Sequence, residues 1–275
     1  CSSDLVGVEI MHMDFQQRKV KDLNGTNTPS TYDQDVSVDL HGQSQGVGFN
    51  LALHYRPTER LSAGIVYRSP VQQKIEGEAE FDRSNLNPVQ RQLGVFQNTD
   101  AWGKITLPDS FQAGLAYQLT DQLTMEVGAT YTFWSKYDQL TFNYDNVIAY
   151  ADDGTPIDST TTPKSWEDVW RFNIGAEYSL TDWCDLRAGY VYDQSPVQDE
   201  YADYLIPAND RQIFSFGTGF ALNEKWTLDL SYNYLLIKDR TVDYNKDRVK
   251  DEGIYASKFD NGDAHMVGLS LGYKF

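Results

Sequence analysis

The sequence lacks the long apolar stretches that mark membrane helices. Its longest apolar runs are only a few residues, such as Tyr-Leu-Leu-Ile at 234–237, whereas a membrane helix needs about 18 or more consecutive apolar residues. A helical membrane protein is therefore excluded. If the chain crosses a membrane, it crosses as strands, because every second residue of a barrel strand can face a polar interior.

Clusters of lysine and arginine are also absent. The 275 residues carry 23 basic and 40 acidic side chains, a formal net charge of −17, and nucleic-acid binding requires grouped positive charge. We therefore expect no nucleic-acid partner. We interpret the acidic runs at 152–153 and 199–200 as solvated loops; divalent-cation bridging to an anionic lipid surface is the alternative.

Residues for metal or catalytic chemistry are few. The two cysteines, Cys1 and Cys184, provide no disulfide framework, and none of the four histidines has metal-ligand spacing. There is no glycine-rich phosphate loop. The run from His41 to Ser44 resembles only faintly the His-x-Ser element of outer-membrane phospholipases. We therefore expect no cofactor, no metal and no enzyme activity.

A repeated turn organises the chain. At four places an aromatic residue leads into a short Thr/Asn–Asp/Glu turn that is followed by an alternating run, a pattern typical of β-hairpins. The copies occupy 55–62, 117–124, 178–185 and 220–227. Their irregular spacing excludes a solenoid and favours hairpins joined by long loops of variable length.

The runs beside these turns alternate between apolar and polar residues. Period two over about nine or more residues fits a tilted membrane strand. We therefore expect one parity to face lipid, namely Trp170, Phe172, Ile174, Phe214, Phe216, Leu228, Leu230, Leu269 and Leu271. The other parity is expected to face the lumen and includes Arg171, Asn173, Ser215, Asp229 and Ser231.

A soluble sandwich or barrel with its apolar face inward is the alternative. Two features favour a membrane barrel instead. The polar parity is rich in Gly, Ala, Ser and Thr as well as charges, which suits a packed or watery interior. The connections also alternate between a few residues and longer segments, as periplasmic turns and extracellular loops do.

The sequence predicts an all-β fold, a transmembrane antiparallel up-and-down β-barrel with about ten strands present. The last strand alternates up to the terminal Phe275, which resembles the signal read by the outer-membrane assembly machinery, so we expect Phe275 to serve assembly. The approximate strand bounds are 4–18, 36–56, 60–82, 101–119, 122–144, 165–180, 184–200, 210–222, 226–243 and 262–275.

Several motifs resemble the FadL family of long-chain fatty-acid and hydrocarbon transporters. The Asp-x-Ser-Pro-Val element followed by Ile-Pro-x-x-Asp-Arg is fairly specific, and the resemblance runs through the whole chain. The residues that carry it are Leu107-Pro108-Asp109-Ser110, Trp170-Arg171, Arg187-Ala188-Gly189, Tyr192-Asp193-Gln194-Ser195-Pro196-Val197, Ile206-Pro207-Ala208-Asn209-Asp210-Arg211 and Gly272-Tyr273-Lys274-Phe275.

The resemblance implies a fourteen-stranded barrel plugged by an N-terminal hatch, of which residues 1–275 would form the C-terminal ten strands. The hatch and the first four strands would then precede Cys1; the alternative is that Cys1-Ser2-Ser3 is the start of a mature lipoprotein. The resemblance also implies passive, ligand-gated diffusion of long-chain fatty acids or related hydrophobic compounds. Substrate would be caught near the extracellular side and pass to an inner site.

A fatty-acid pocket needs an apolar sleeve and a cation or donor for the carboxylate. Segment 87–96 is the candidate apolar catcher, with ordinary packing at the barrel rim as the alternative; its apolar residues are Leu93, Val95 and Phe96. Three arginines point inward by parity and are candidate cations, namely Arg171 foremost, Arg187 and Arg68. The alternative for each is a structural ion pair, for Arg171 with Glu167, Glu177 or Asp193.

Three function classes follow. A transporter of hydrophobic compounds is favoured over a general porin or structural barrel, which an ion-conducting lumen would identify. An outer-membrane lipid hydrolase, which needs a nucleophile and a histidine converging on the lipid face, is the least favoured. The expected partners are a hydrophobic small molecule, outer-membrane lipid with lipopolysaccharide, and the assembly machinery, and we expect a monomer.

Overall fold

The computed structural model describes residues 2–23, 35–151, 153–202, 208–243 and 256–274. These ranges hold one short α-helix, α1 (Pro88–Gln92), and 3-10 turns at Trp134–Lys136 and Asp199–Tyr201. None of the helices in the described ranges combines the length and hydropathy needed to span a membrane. The strands are β1 (Ser2–Asp22), β2 (Asp35–Tyr55), β3 (Leu61–Arg68), β4 (Val71–Asp82), β5 (Thr99–Leu107), β6 (Ser110–Gln118), β7 (Leu123–Thr132), β8 (Gln139–Tyr144), β9 (Ala149–Tyr150), β10 (Pro156–Ile157), β11 (Ser159–Pro163), β12 (Val169–Thr181), β13 (Cys184–Asp193), β14 (Arg211–Ala221), β15 (Trp226–Ile237), β16 (Arg240–Val242), β17 (Ser257–Phe259) and β18 (Asp263–Tyr273).

The strands trace the ten passes that the sequence predicts. Three passes are each broken in two: β3 from β4 at Ser69 and Pro70, β5 from β6 at Pro108 and Asp109, and β7 from β8 at 133–138. Proline has no N–H to donate to a strand ladder, so Pro70 and Pro108 account for two of these breaks. The predicted strands 184–200 and 226–243 were too long, since β13 and β15 end at residues 193 and 237.

Short turns join β2 to β3, β6 to β7, β12 to β13 and β14 to β15, at the four repeat copies. In the β6–β7 and β14–β15 turns the side chain of the first Thr or Asn accepts a hydrogen bond from a backbone N–H three residues later. Thr120 Oγ1 accepts a hydrogen bond from Leu123 N at 3.0 Å, and Asn223 Oδ1 accepts one from Trp226 N at 3.1 Å. Side chains that bond nearby backbone in this way stabilise tight turns, which explains why the motif recurs.

The principal strands form one fourteen-stranded sheet. Its order is β11-β8-β5-β4-β2-β3-β6-β7-β12-β13-β14-β15-β18, with β1 beside β2. The C-terminal half of β2 pairs with β3, and its N-terminal half pairs with β4. The sheet therefore splits into two branches at the strand breaks. The barrel wall continues through β3, β6, β7 and β12, and an upper sheet is formed by β4, β5, β8 and β11. The sheet is open, because β1 and β18 are not paired with each other in the described part.

The two faces of the wall differ as the alternation predicts. Most of the nine side chains predicted to face lipid are exposed, from 38% for Leu230 to 72% for Leu269, and Phe214 and Leu228 are half-buried. Trp170 stacks on Phe172 with ring centroids 5.7 Å apart. An apolar face of this extent needs lipid as its solvent, so the predicted orientation is confirmed.

Buried apolar residues gather in the upper part of the molecule. One cluster lies on the inner face of the upper sheet and contains Leu40, Ala79, Ala101, Leu140, Phe142, Tyr144 and Ile148. A second cluster joins the break between β7 and β8 to three long connections, through Tyr137, Trp166, Val197, Ala202 and Val242. The long loops are therefore packed against one another. Our expectations for Cys1 and Phe275 fall outside the described residues.

Candidate functional site

The polar face of the wall borders a cavity of about 440 Å³. This volume lies within the range of roughly 300–1,000 Å³ that is usual for ligand pockets. Strands β3, β6, β7, β12 and β13 contribute its lining, which consists of Val66, Arg68, Ser110, Gln112, Glu126, Thr130, Arg171, Asn173 and Val191, together with Ile174, a residue of the lipid-facing parity.

Strand register explains why these side chains meet. Val66 lies opposite Gln112, Gln112 opposite Thr130, and Thr130 opposite Arg171. Directly opposed residues of antiparallel strands point to the same face. The four residues therefore form a row across the inner wall, with the guanidinium at one end.

Arg171 is the cation without a partner in this row. Its side chain makes no ion pair or hydrogen bond with any residue in the described ranges. Two carboxylates that we considered as its partners are engaged elsewhere: Glu177 pairs with Arg187, and Asp193 pairs with Arg211 at 2.8 Å. The structural ion pair weighed as the alternative for Arg171 is therefore not present among the described residues.

Arg68 lines the same cavity but has a carboxylate neighbour. Its Nε lies 3.7 Å from Glu9 Oε2 of β1. The distance is long for a hydrogen bond, so the two groups interact mainly as charges. The structure thus brings two of the three candidate arginines together, and leaves Arg171 as the more available of them.

Arg187 fits the structural alternative. Its Nε donates to Glu177 Oε2 at 2.7 Å and its Nη1 donates to Asp229 Oδ1 at 2.7 Å. The three residues come from β12, β13 and β15, so the guanidinium ties neighbouring strands across the lumen face. A cation held by two carboxylates is a poor receptor for a third anion.

Gly219 leaves space for the ion pairs of Arg187 with Glu177 and Asp229. A Cβ at Gly219 would lie 2.9 Å from Asp229 Oδ1 and 3.0 Å from Arg187 Nη1. Such contacts are closer than van der Waals distance, so any larger residue would displace the ion pair. The small residues of the polar parity therefore provide the space in which charged side chains lie flat along the wall.

Several lining residues were not singled out from the sequence. Gln112 and Glu126 lie on the polar parity of β6 and β7, so alternation could have identified their face. Their membership of one cavity with Arg171 depends on the register between strands, which the sequence does not reveal. Val66 and Val191 give the cavity its apolar patches and carry no distinguishing sequence signal.

Segment 87–96 forms helix α1 and the turn after it. Asn87 and Gln90 form a capping box at the start of the helix, with Asn87 Oδ1 accepting from Gln90 N at 2.8 Å. Val95 and Phe96 are buried with Val36 and Leu86 in a small apolar cluster. Leu93 is 60% exposed and Val89 is 65% exposed, so these two residues form the accessible apolar surface of the segment.

The weak phospholipase-like element does not form a catalytic pair. Ser44 is buried and its hydroxyl donates to Gln73 Oε1 at 2.7 Å, whereas His41 is exposed three residues earlier, on the opposite parity of β2. His41 instead lies near Glu78 and Glu80, with one ligand atom from each within 4.8 Å of the others. Exposed acidic groups adopt such spacing without an ion, so this group is not assigned a metal.

A family model described as outer membrane protein transport protein (OMPP1/FadL/TodX) matches residues 5–275 of the chain. The chain belongs to this family. It is an outer-membrane protein, in agreement with its β-barrel fold and with the names of its relatives. The FadL-family resemblance inferred from the motifs is confirmed.

Individual FadL/TodX-family proteins are similar over most of the chain. The 47 kDa outer membrane protein of Pasteurella multocida is 30% identical over 251 residues, covering 87% of this chain and 53% of that protein. The long-chain fatty acid transport protein of Escherichia coli O6:H1 is 27% identical over 263 residues, covering 92% and 54%. The chain spans about half the length of these curated relatives.

The fold agrees with a solved FadL/TodX-family structure. The crystal structure of a Pseudomonas aeruginosa FadL homologue superimposes with a TM-score of 0.81 at 22% sequence identity, covering 99% of this chain and 64% of that one. The likeness confirms the barrel architecture, with strands of this chain occupying part of a longer protein's fold.

Proposed function

We propose that the chain supplies wall and lumen to an outer-membrane transporter that passes long-chain fatty acids by passive, ligand-gated diffusion. The observation that carries this proposal is the guanidinium of Arg171, which borders the lumen cavity of about 440 Å³ and forms no ion pair with any other residue that the structure describes. The side chain of Arg171 is exposed to the lumen, and a guanidinium that the described carboxylates leave unpaired can bind an anion. The name of the similar Escherichia coli protein, a long-chain fatty acid transport protein, supports the choice of substrate.

Arginine suits a carboxylate because its planar fork can donate two parallel hydrogen bonds. Asn173, Thr130 and Gln112 line the same cavity and offer further polar contacts around the head group. Glu126 lies there too, and its carboxylate repels a second anion. A bound fatty acid would therefore place its carboxylate at Arg171 and its chain along Val66 and Val191.

Capture would begin outside the lumen. The exposed pair Val89 and Leu93 lies one helical turn apart on α1, on the side of the molecule that holds the long loops. Residues at this spacing share one helix face. They offer a small apolar surface on which an acyl chain can leave the polar zone of lipopolysaccharide.

Gating is supported by the packing of the long connections. Trp166, Val197 and Val242 come from three long connections, and they meet Tyr137, from the break between β7 and β8, in one apolar cluster. A passing ligand has to displace contacts of this kind. An acyl chain can replace them with apolar contacts of its own, whereas an ion cannot, so the loops would open for amphiphiles and stay closed to ions.

Uptake of labelled oleate tests the proposal. The full-length protein is expressed in cells that lack their own fatty-acid transporter, alongside an Arg171→Gln variant. We expect the variant to take up oleate about tenfold more slowly at subsaturating concentration, because a hydrogen-bonded charge is worth about 1.5–3 kcal/mol. Arg60→Gln is the matched control, since Arg60 forms an exposed ion pair with Asp121 at a short turn.

Unchanged oleate uptake by Arg171→Gln, at equal amounts of protein in the membrane, contradicts the assignment of the head-group site. Free ion conductance by the wild-type protein in planar bilayers, without oleate uptake, supports the porin alternative instead.

A further inference from the structure

The outer face of the upper sheet carries two lysines directly opposite each other. Lys74 of β4 and Lys104 of β5 are register partners and both are exposed. Like charges at directly opposed positions destabilise a strand pair. Lys74 has Glu76 as an ion-pair partner, whereas Lys104 pairs with no carboxylate among the described residues.

Trp102 lies next to the two lysines on the same face, two residues before Lys104 on β5 and opposite Glu76. The Lys74 Nζ lies 5.7 Å from the centroid of its ring, and the Lys104 Nζ lies 5.8 Å from it. Both ammonium groups are thus held near one aromatic face, as cation–π contacts allow. The charge of Lys74 is partly balanced by Glu76, whereas the ammonium group of Lys104 contacts the ring alone among the described residues.

This group lies just above the lipid-facing band. On β2 the last exposed apolar residue is Val47, 66% exposed, and the outward residues that follow are Gln45 and Gln43. Gln43 lies opposite Glu76, so Lys74, two residues nearer the band, lies beside Gln45. The lysine pair therefore lies at the level where acyl chains end and lipid head groups begin.

The lysine pair lies at the extracellular end of the barrel. The four short turns lie at the opposite end of the strands, and in outer-membrane barrels short turns are periplasmic. The lysine pair consequently faces the outer leaflet, which consists of lipopolysaccharide. Higher up the same face, carboxylates replace the lysines at the register pair Glu78 and Asp100. At the level of the lysines two ammonium groups face the single carboxylate of Glu76, so this level is the more favourable one for an anion.

We propose that Lys74, Trp102 and Lys104 form a binding site for a phosphate group of the lipid A part of lipopolysaccharide. A phosphate placed between the ammonium groups relieves their repulsion and accepts a charge-assisted hydrogen bond from each. The Trp102 ring packs at the boundary between sugar and acyl chain, where amphipathic aromatic rings are favoured. The site anchors the outer face of the upper sheet to the leaflet around it.

Binding of purified lipid A tests the site. Full-length protein in detergent, freed of lipopolysaccharide, is titrated with bisphosphorylated lipid A and with lipid A from which both phosphates have been removed. We expect wild-type protein to bind the bisphosphorylated form at least about tenfold more tightly, as two charge-assisted bonds imply. The variant Lys74→Gln/Lys104→Gln should lose this preference and bind both forms alike.

The double variant Lys225→Gln/Lys274→Gln is the matched control. It removes two neighbouring charges at the opposite end of the barrel, where Lys274 N donates to Lys225 O at 2.8 Å, and should keep the wild-type preference. The proposal is overturned if wild-type protein binds both lipids equally, which is independent of any variant's folding. It is also overturned if Lys74→Gln/Lys104→Gln retains the preference, or if the control loses it equally.

Discussion

Arg68 and Arg171 line the same cavity, and Glu9 lies 3.7 Å from Arg68 while Arg171 has no carboxylate partner in the described ranges. The difference arises from what the neighbouring strands supply. Arg68 lies on β3, near Glu9 of β1. Arg171 lies opposite Thr130 of β7 on one side and Asp193 of β13 on the other. Asp193 is already paired with Arg211. The two inward arginines therefore have different surroundings, and of the two it is Arg171 that has no ion-pair partner within the described ranges.

Arg187 should matter for stability and not for substrate affinity. Its guanidinium bridges Glu177 and Asp229, so Arg187→Met leaves two carboxylates close together without a cation. All three groups are nearly half exposed to the lumen, which limits the loss to about 1 kcal/mol in unfolding free energy. Urea unfolding of the full-length protein in vesicles measures it. Weakened oleate binding with unchanged unfolding would instead make Arg187 a head-group residue.

The face assignment predicts which engineered cysteines react from which side. In a background where both Cys1 and Cys184 are replaced by Ser, Asn173→Cys should react with a water-soluble maleimide that enters the lumen. Phe172→Cys should react with a probe dissolved in the bilayer, because its side chain is 45% exposed on the lipid face. The reverse pattern would show that the apolar face is internal.

Sequence alternation was sufficient to predict the number of passes and, along the barrel wall, which residues face lipid and which face the lumen. It did so because period two is imposed by the strand backbone itself. The interruptions were missed, although Pro70 and Pro108 were visible signals. The break at Pro108 reverses which residues face inward. Odd-numbered residues such as Ala101 and Gly103 are buried on β5, whereas the odd-numbered Phe111 and Leu115 are exposed on β6.

The candidate site was predicted only in part, because parity gives a face but not a partner. Alternation placed Arg171, Arg187 and Arg68 on the inner face. It could not pair Glu177 with Arg187, since that pairing is set by the register of β12 against β13. In the same way, Val95 and Phe96 look like accessible apolar residues in the sequence and are buried in the structure.

Close backbone approach in the upper sheet predicts a sensitive glycine. A Cβ at Gly77 would lie 1.9 Å from the carbonyl oxygen of His41, so Gly77→Ala must push β4 away from β2. We expect a loss of about 1–3 kcal/mol and faster hydrogen exchange in β4. Gly64→Ala is the control, because the nearest atom to its Cβ is 3.9 Å away. Equal effects of the two substitutions would contradict the close approach.

The central claim is that Arg171 recognises the carboxylate of a fatty acid. The most direct measurement compares equilibrium binding of oleate and of oleyl alcohol, which has the same chain without the charge, to the full-length protein and to Arg171→Gln. We predict that the wild-type protein prefers oleate by about tenfold or more, and that the variant binds both compounds with the affinity that the wild-type protein has for the alcohol. A variant that keeps the full preference for oleate would contradict the claim.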